Sequence, residues 1–210
     1  MIQKLIQEVE EADSADGLLN AVEALAEAHS ERAIPTLIQV LGYNNPGAAV
    51  AAVEGLIALG EPVVTPLLNQ LDGYNYGARA WAVRALSGIG DPRGLDVLLE
   101  AAVSDFALSV RRAAARGLGA IHWEKLPTAA IESAQDQAVQ VLLVATADPE
   151  WVVRYAAVVG LQGLGMAVIT QPPDWCAKVS DRLKALIKTD ETLAVQARAK
   201  LAQQSLDSHL

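Results

Sequence analysis

The sequence is poor in cysteine, aromatic residues and basic runs, and each shortage argues against a class of protein. Cysteine occurs once, at Cys176, so no framework of disulfides can form and a reducing, cytoplasmic setting is expected. Aromatic residues make up 4% of the chain, whereas β-sheets are enriched in aromatic and β-branched residues. The net charge is −9 and there is no lysine-rich run, which argues against nucleic acid as a partner.

Motifs for metal or nucleophilic chemistry are also missing. The three histidines are widely separated, and Cys176 has no second thiol at ligand spacing, so no metal site is expected. Glycine-rich phosphate loops and Gly-x-Ser-x-Gly motifs are absent, and Cys176 is expected to be a packed thiol. The most apolar stretch, residues 155–170, is short and contains Gln162, so no membrane insertion is expected. Residues 1–11 contain four charged residues, which does not fit a secretory signal.

The sequence instead contains a repeat built mainly from alanine, leucine and valine. One register recurs roughly every 30–43 residues, an interval that fits a helix, a turn and a second helix. Its anchor leucines are Leu25, Leu56, Leu86, Leu118, Leu161 and, in a weaker match that begins at Arg198, Leu201. The pattern predicts an all-α fold, a right-handed α–α superhelix (a HEAT-like repeat solenoid) of about six helical hairpins.

The repeats also predict the organisation of the chain. Residues 1–210 are expected to form a single repeat domain, with core repeats over 31–165. Residues 1–30 would form an acidic N-terminal capping hairpin, for which a docking role stays open, and 166–210 a C-terminal capping hairpin after a proline-containing loop. Helix starts are predicted at Asn45-Pro46, Asp91-Pro92 and Asp148-Pro149. Helix ends are predicted at Gly60, Gly90 and Gly165.

Arginines recur at a position that should be buried. Seven residues before the anchor leucine, on the core side of the second helix, the three central repeats carry Arg79, Arg111 and Arg154. We expect these side chains to bond to neighbouring carbonyls or acids rather than to a ligand.

A second set of cationic and aromatic residues falls on positions that point away from the core. In a stacked array these positions line one concave groove, where arginines beside aromatic rings suit a flat conjugated molecule with carboxylates. A solvated face or a protein interface is the alternative. The set is Trp81, Arg84, Arg112, Arg116 and Tyr155. His122, which opens an insertion after the fourth second helix, is a candidate for proton transfer.

Two blocks of the sequence resemble one particular repeat family. They are NYGARAWAVRALSGIGDPR, residues 75–93, and DFALSVRRAAARGLG, residues 105–119. Both are similar to the phycobilisome-lyase family of HEAT-like repeat proteins, and within it to the smaller, F-type (beta) subunits of heterodimeric E/F phycocyanobilin lyases. The resemblance extends from about residue 33 to residue 165.

The resemblance implies a lyase subunit that works in the cytosol of a cyanobacterium or the stroma of a plastid. With a larger E-type subunit it would attach phycocyanobilin, its substrate, by a thioether bond to a cysteine of the phycocyanin alpha subunit, with no tightly bound cofactor. A related subunit type that also isomerises the bilin carries a His-Cys pair where this chain has His122-Trp123. The missing cysteine favours attachment without isomerisation.

Two other functions fit the same pattern. A non-catalytic HEAT-repeat adaptor would use the groove to hold a protein segment. A factor for pigment detachment or phycobilisome degradation would act on the same partners in the opposite direction.

Overall fold

Alanine, leucine and valine at helical spacing fold into twelve α-helices, with no strand among the described residues. The structure is a computed structural model that describes residues 1–71, 76–168, 170 and 172–208, without the side chain of Tyr76. The helices are α1 Ile2–Glu10, α2 Ala15–Glu27, α3 Ile34–Val40, α4 Pro46–Leu59, α5 Glu61–Gln70, α6 Tyr76–Ile89, α7 Leu95–Ser104, α8 Leu108–Leu118, α9 Thr128–Ala145, α10 Trp151–Ala167, α11 Trp175–Thr189 and α12 Leu193–Asp207. The predicted all-α fold of six hairpins is confirmed. No helix in this part of the chain has both the length and the apolarity needed to cross a membrane.

The first of two compact units, Met1–Gly94, contains three hairpins: α1 with α2, α3 with α4, and α5 with α6. The second helices α2, α4 and α6 pack side by side in that order. Their anchor leucines Leu25, Leu56 and Leu86 are buried, as the repeat predicts. Each hairpin therefore covers its neighbour's apolar side, as stacked repeats require.

The second unit, Leu95–Leu210, repeats this arrangement with α7 and α8, α9 and α10, and α11 and α12. Helix α10 packs between α8 and α12. Leu118 and Leu161 are fully buried, but the predicted sixth anchor is wrong because Leu201 is 54% exposed. Ala202 takes the buried place in α12, so the register there is shifted by one residue.

Helix starts follow the predicted capping residues in part. The Asn45 side chain accepts a hydrogen bond from the Ala48 N–H at 3.0 Å, directly before Pro46, and caps α4 as predicted. Asp91 and Asp148 instead accept from the N–H two residues later, at 3.0 and 2.8 Å. These two aspartates therefore shape turns before a helix rather than cap the helix itself.

Two of the three predicted helix-ending glycines are confirmed. Gly60 and Gly90 adopt φ values of 70° and 67°, which a side chain would disfavour. Gly165 lies inside α10, which continues to Ala167, so that predicted end is wrong. Leu206 of α12 packs against Gly165, and the glycine makes room for this contact. Residues 169 and 171 of the predicted proline-containing loop, and Asn75 of the first lyase-like block, lie outside the described residues.

The arginine at the fourth residue of α8 joins two successive hairpins. Nε and Nη2 of Arg111 donate to the two carboxylate oxygens of Asp148 at 2.7 and 3.1 Å. Its Nη1 donates to the carbonyls of Asp105 and Phe106, in the turn of its own hairpin, at 2.9 and 3.1 Å. Arg111 thus links its own turn to the turn of the next hairpin.

Arg154, the fourth residue of α10, repeats this arrangement one hairpin later. It donates to both carboxylate oxygens of Asp190 at 2.9 and 3.1 Å, and to the Asp148 and Pro149 carbonyls at 3.0 and 3.1 Å. The Arg154 and Asp190 side chains are only 8% and 3% exposed. The expected structural role is thus confirmed for Arg111 and Arg154.

Glycines between α8 and α10 let the two backbones approach closely. A Cβ on Gly160 would lie 2.3 Å from the Ala115 carbonyl oxygen, and one on Gly163 would lie 2.3 Å from the Gly119 carbonyl oxygen. A Cβ on Gly119 would in turn lie 2.4 Å from the Gly160 carbonyl oxygen. These glycines are packing residues, a role that the sequence pattern did not reveal.

We expect Gly160→Ala to destabilise the protein by about 1–3 kcal/mol, because the methyl group must push α8 and α10 apart. The matched control is Gly47→Ala in α4, where an added Cβ meets nothing closer than 3.5 Å. That change should be neutral or stabilising by about 0.5–1 kcal/mol. Urea unfolding measures both, and equal stabilities of the two variants would contradict the assignment.

The Arg154–Asp190 pair predicts a pH-dependent stability. Burial alone would raise the pKa of Asp190, but hydrogen bonds from Arg154 and the Thr192 N–H, with the charges of Arg154 and Arg182, lower that pKa below its ordinary value. The stabilisation is therefore complete above the unfolded pKa of about 3.9 and is lost as the pH falls through the lower folded value.

Asp190→Asn should accordingly lower the free energy of unfolding by roughly 3–5 kcal/mol at pH 7. The difference in this free energy between the variant and the wild type should become smaller below about pH 4. Glu191→Gln is the control, because Glu191 contacts the same guanidinium but its side chain is 82% exposed. Urea unfolding between pH 3 and pH 7 checks the result. A difference in the free energy of unfolding that does not change with pH would contradict the stabilisation by the Arg154–Asp190 ion pair.

Candidate functional site

The first unit places two of the predicted site residues together on α6. The Arg84 guanidinium lies over the Trp81 ring, 5.5 Å from the ring centroid, in cation–π geometry. Arg84 is exposed and Trp81 is half-buried. This pair therefore places a positive charge at the surface, over a half-buried aromatic ring.

The second unit carries two further cations, one helical turn apart on α8. Arg112 and Arg116 are both exposed, and α8 has no acidic residue in its first turn. Neither guanidinium has a hydrogen-bond or ion-pair partner among the described residues. Arg111, their neighbour in sequence, is engaged by Asp148. Adjacent arginines on one helix thus divide into a structural residue and two that are available to a ligand.

Tyr155 stands on α10 in the same repeat position as Arg112 on α8, six residues before the anchor leucine. It is 37% exposed. Because α8 and α10 pack side by side, one aromatic ring and two cations lie on neighbouring helices of this unit. Guanidinium groups can bind carboxylates through paired hydrogen bonds, and aromatic rings can stack on a conjugated ligand.

Arg198 of α12 is a half-buried cation that the sequence pattern did not single out. Its Nη2 donates to Gln162 Oε1 on α10, and its Nη1 is buried with no hydrogen-bond partner. Burial lowers the pKa of Arg198, and the nearby Tyr155 offsets this in part. The available signal was an arginine three residues before the supposed anchor Leu201, a position that alanine or valine fills in most repeats.

His122 lies apart from the helix faces, in the loop between α8 and the 3-10 turn Trp123–Lys125. Its side chain is 51% exposed, and Nδ1 lies 3.4 Å from a carboxylate oxygen of Glu124. The imidazole is accessible for proton transfer. A catalytic role for His122 stays a prediction.

Cys176 and the potential metal ligands are the remaining candidate groups. Cys176 is half-buried, and burial raises the pKa of its thiol, which fits the expected packed thiol. Over residues 1–71, 76–168, 170 and 172–208, no group of three or more metal-ligating side chains comes together. Apart from His122, the predicted site residues are arginines and aromatic side chains, which are suited to binding.

An acidic cavity in the first unit contrasts with these cations. It has a volume of about 420 Å³ and lies between α2 and α4, where Glu23, Glu27 and Glu54 line it. Glu23 and Glu54 hold the same repeat position that Arg84 and Arg116 hold in the third and fourth hairpins. The outward position thus changes from acidic to basic along the sequence, and both roles considered for the first hairpin stay open.

Comparison with known proteins shows the family of this chain. The model for HEAT repeats matches residues 2–73 and 64–162. The chain is 54% identical over its full length to a phycocyanobilin lyase subunit beta from Pseudanabaena tenuis, and covers 74% of that protein. The chain belongs to the phycocyanobilin lyase beta-subunit family of HEAT-repeat proteins. The family resemblance expected from the two sequence blocks is thereby confirmed.

Other members of this family are also similar to the chain in sequence and in fold. The chain is 59% identical over 163 residues, 78% of its length, to the phycocyanin alpha phycocyanobilin lyase CpcF of Synechocystis, and covers 76% of that protein. Its fold matches a chain in the structure of the CpcE–CpcF complex of phycocyanin lyase from Nostoc, with a TM-score of 0.75 and 52% identity. That match covers 83% of this chain and 99% of the other.

Proposed function

We propose that this chain is the smaller subunit of a heterodimeric bilin lyase, which attaches phycocyanobilin through a thioether bond to a cysteine of the phycocyanin alpha subunit. The observation that carries the proposal is its likeness, at 52% identity, to a chain of a complex between CpcE and CpcF of phycocyanin lyase. Identity of 50–59% to relatives named for phycocyanobilin lyase activity supports it. The larger partner would be a CpcE-like subunit.

The chemistry explains why no nucleophile is needed in this chain. The acceptor cysteine supplies a thiolate, whose sulfur adds to the ethylidene carbon of the bilin while a proton reaches the tetrapyrrole, so the thiol adds across the double bond. The lyase has to select the pigment, hold it and orient it towards the acceptor. Binding groups on a helical surface are sufficient for that task.

The described side chains can be assigned to these tasks. The unpaired guanidinium groups of Arg112 and Arg116 would bind bilin propionates, and Tyr155 would contact the conjugated rings. Trp81 and Arg84 offer the same chemistry on the first unit. His122 is the proposed proton-transfer residue. We further propose that the chain works in the cytosol of a cyanobacterium or in a plastid stroma and has no tightly bound cofactor.

The adaptor and detachment alternatives differ from the lyase in what they do to pigment. An adaptor should leave the absorption spectrum of free phycocyanobilin unchanged on titration, whereas a lyase subunit with its partner should shift it. A detachment factor should release covalent pigment from finished phycocyanin. A lyase should leave that pigment in place.

The direct test is coexpression of this chain with a CpcE-like partner, the bilin-forming enzymes and phycocyanin alpha. Covalent colour on the alpha subunit should require this chain, and Arg112→Ala combined with Arg116→Ala should lower pigment transfer at least tenfold through lost charge-assisted bonds. Equal colour with and without this chain would contradict the proposal.

Two controls separate a binding defect from misfolding. Lys184→Gln removes a cation from an exposed position on α11, a first helix, and should leave transfer unchanged. The Arg112/Arg116 variant should unfold within about 1 kcal/mol of the wild type, because exposed substitutions each change stability by about 0.5 kcal/mol or less. Normal pigment transfer by the Arg112→Ala/Arg116→Ala double variant would show that these two arginines are not part of the binding site.

A further inference from the structure

Arg198 is a half-buried cation for which the described part of the chain supplies no carboxylate partner. One of its terminal nitrogens, Nη1, is buried and has no hydrogen-bond partner. The other, Nη2, donates to the side-chain oxygen of Gln162. A buried N–H donor of a charged group that has no hydrogen-bond partner is unfavourable for the fold. A ligand that supplies the missing acceptor would explain why such a group is present.

The hydrogen-bond partner of Arg198 is neutral, whereas the partners of Arg154 are acidic. Arg198 donates a hydrogen bond to Gln162 of α10, and Tyr155 of the same helix acts on its charge. Arg154, on the same α10, is instead held by Asp190 and Glu191. Arg111 and Arg154, which link successive hairpins, both bond to carboxylates, whereas Arg198 has no carboxylate partner among the described residues.

Arg198 is positioned on the same group of packed helices as the predicted site residues Arg112, Arg116 and Tyr155. It reaches from α12 to Gln162 on α10, and Tyr155, which is 37% exposed on the same helix α10, acts electrostatically to raise the pKa of Arg198, which burial lowers. Gln162 offers Arg198 a neutral oxygen at the position where a carboxylate oxygen would otherwise bind. A carboxylate arriving from solvent could therefore replace the Gln162 amide and supply the charge that Arg198 lacks.

We propose that Arg198, with Tyr155 and Gln162, forms a carboxylate-binding site between α10 and α12 that takes one propionate group of the tetrapyrrole. This proposal rests on the proposed function, because the lyase reaction brings the propionate to this chain. It adds a third helix to the pigment-binding surface of the second unit, beyond the arginines of α8.

The experiment uses the purified heterodimer with its CpcE-like partner and titrates phycocyanobilin and its dimethyl ester by absorbance. The ester keeps the conjugated rings and loses both carboxylates. Arg198→Met should weaken binding of the free acid roughly tenfold, the size of one charge-assisted interaction, and should leave binding of the ester unchanged. Its stability should equal or exceed that of the wild type, because the substitution removes an uncompensated charge.

Gln162→Glu provides the opposite perturbation. It places a permanent carboxylate beside Arg198, so the thermal midpoint should rise while affinity for the free acid falls. An arginine with only a structural role would give the reverse for Arg198→Met, a less stable protein with normal affinity. That result would overturn the proposal.

Failure of this site and failure of the proposed function give different results. If the wild type binds phycocyanobilin and both variants bind it equally well, the carboxylate site is wrong and the lyase function stands. If Arg198→Met weakens subunit association without pigment, the partner subunit supplies the carboxylate and the proposal is overturned. If the wild-type heterodimer binds no pigment, the proposed function fails as well.

Discussion

Two arginines tie the turns of successive hairpins to one another, and the placement of the second helices in the second unit depends on them. Arg111 links the turn at Asp105 to Asp148, and Arg154 links the turn at Asp148 to Asp190. Each guanidinium satisfies carbonyls on one side and a carboxylate on the other. With the close α8–α10 contact through glycine, this arrangement holds the helix surfaces that carry the outward residues.

The same residue type therefore has two roles, set by what surrounds it. A buried guanidinium with a carboxylate partner is a structural tie, because removing either partner leaves a charge in the interior. Arg112 and Arg116 are exposed and unpaired, so they cost the fold little and remain free to bind. Arg198 lies between these cases, since it is half-buried and has only a neutral partner.

The periodic features were predictable from the sequence. Leucine spacing predicts the six hairpins, and helical periodicity places Arg111 on the core side and Arg112 on the outward side of α8. The errors arose where neighbouring hairpins decide the outcome. Leu201 matched the repeat but is exposed, and Gly165 matched a helix end but makes room for Leu206. Which side chains approach Arg198 depends on how α10 and α12 pack, and no local pattern encodes that.

The central proposal is that Arg112, Arg116 and Arg198, which have no carboxylate partner among the described residues, bind the pigment, and that Arg111 and Arg154 do not. A structure of the lyase heterodimer with phycocyanobilin bound tests it most directly. The account predicts that propionate oxygens lie within hydrogen-bond distance of Arg112, Arg116 or Arg198, while Arg111 and Arg154 keep their aspartates. Pigment bound wholly to the partner subunit, with no contact to these arginines, would contradict it.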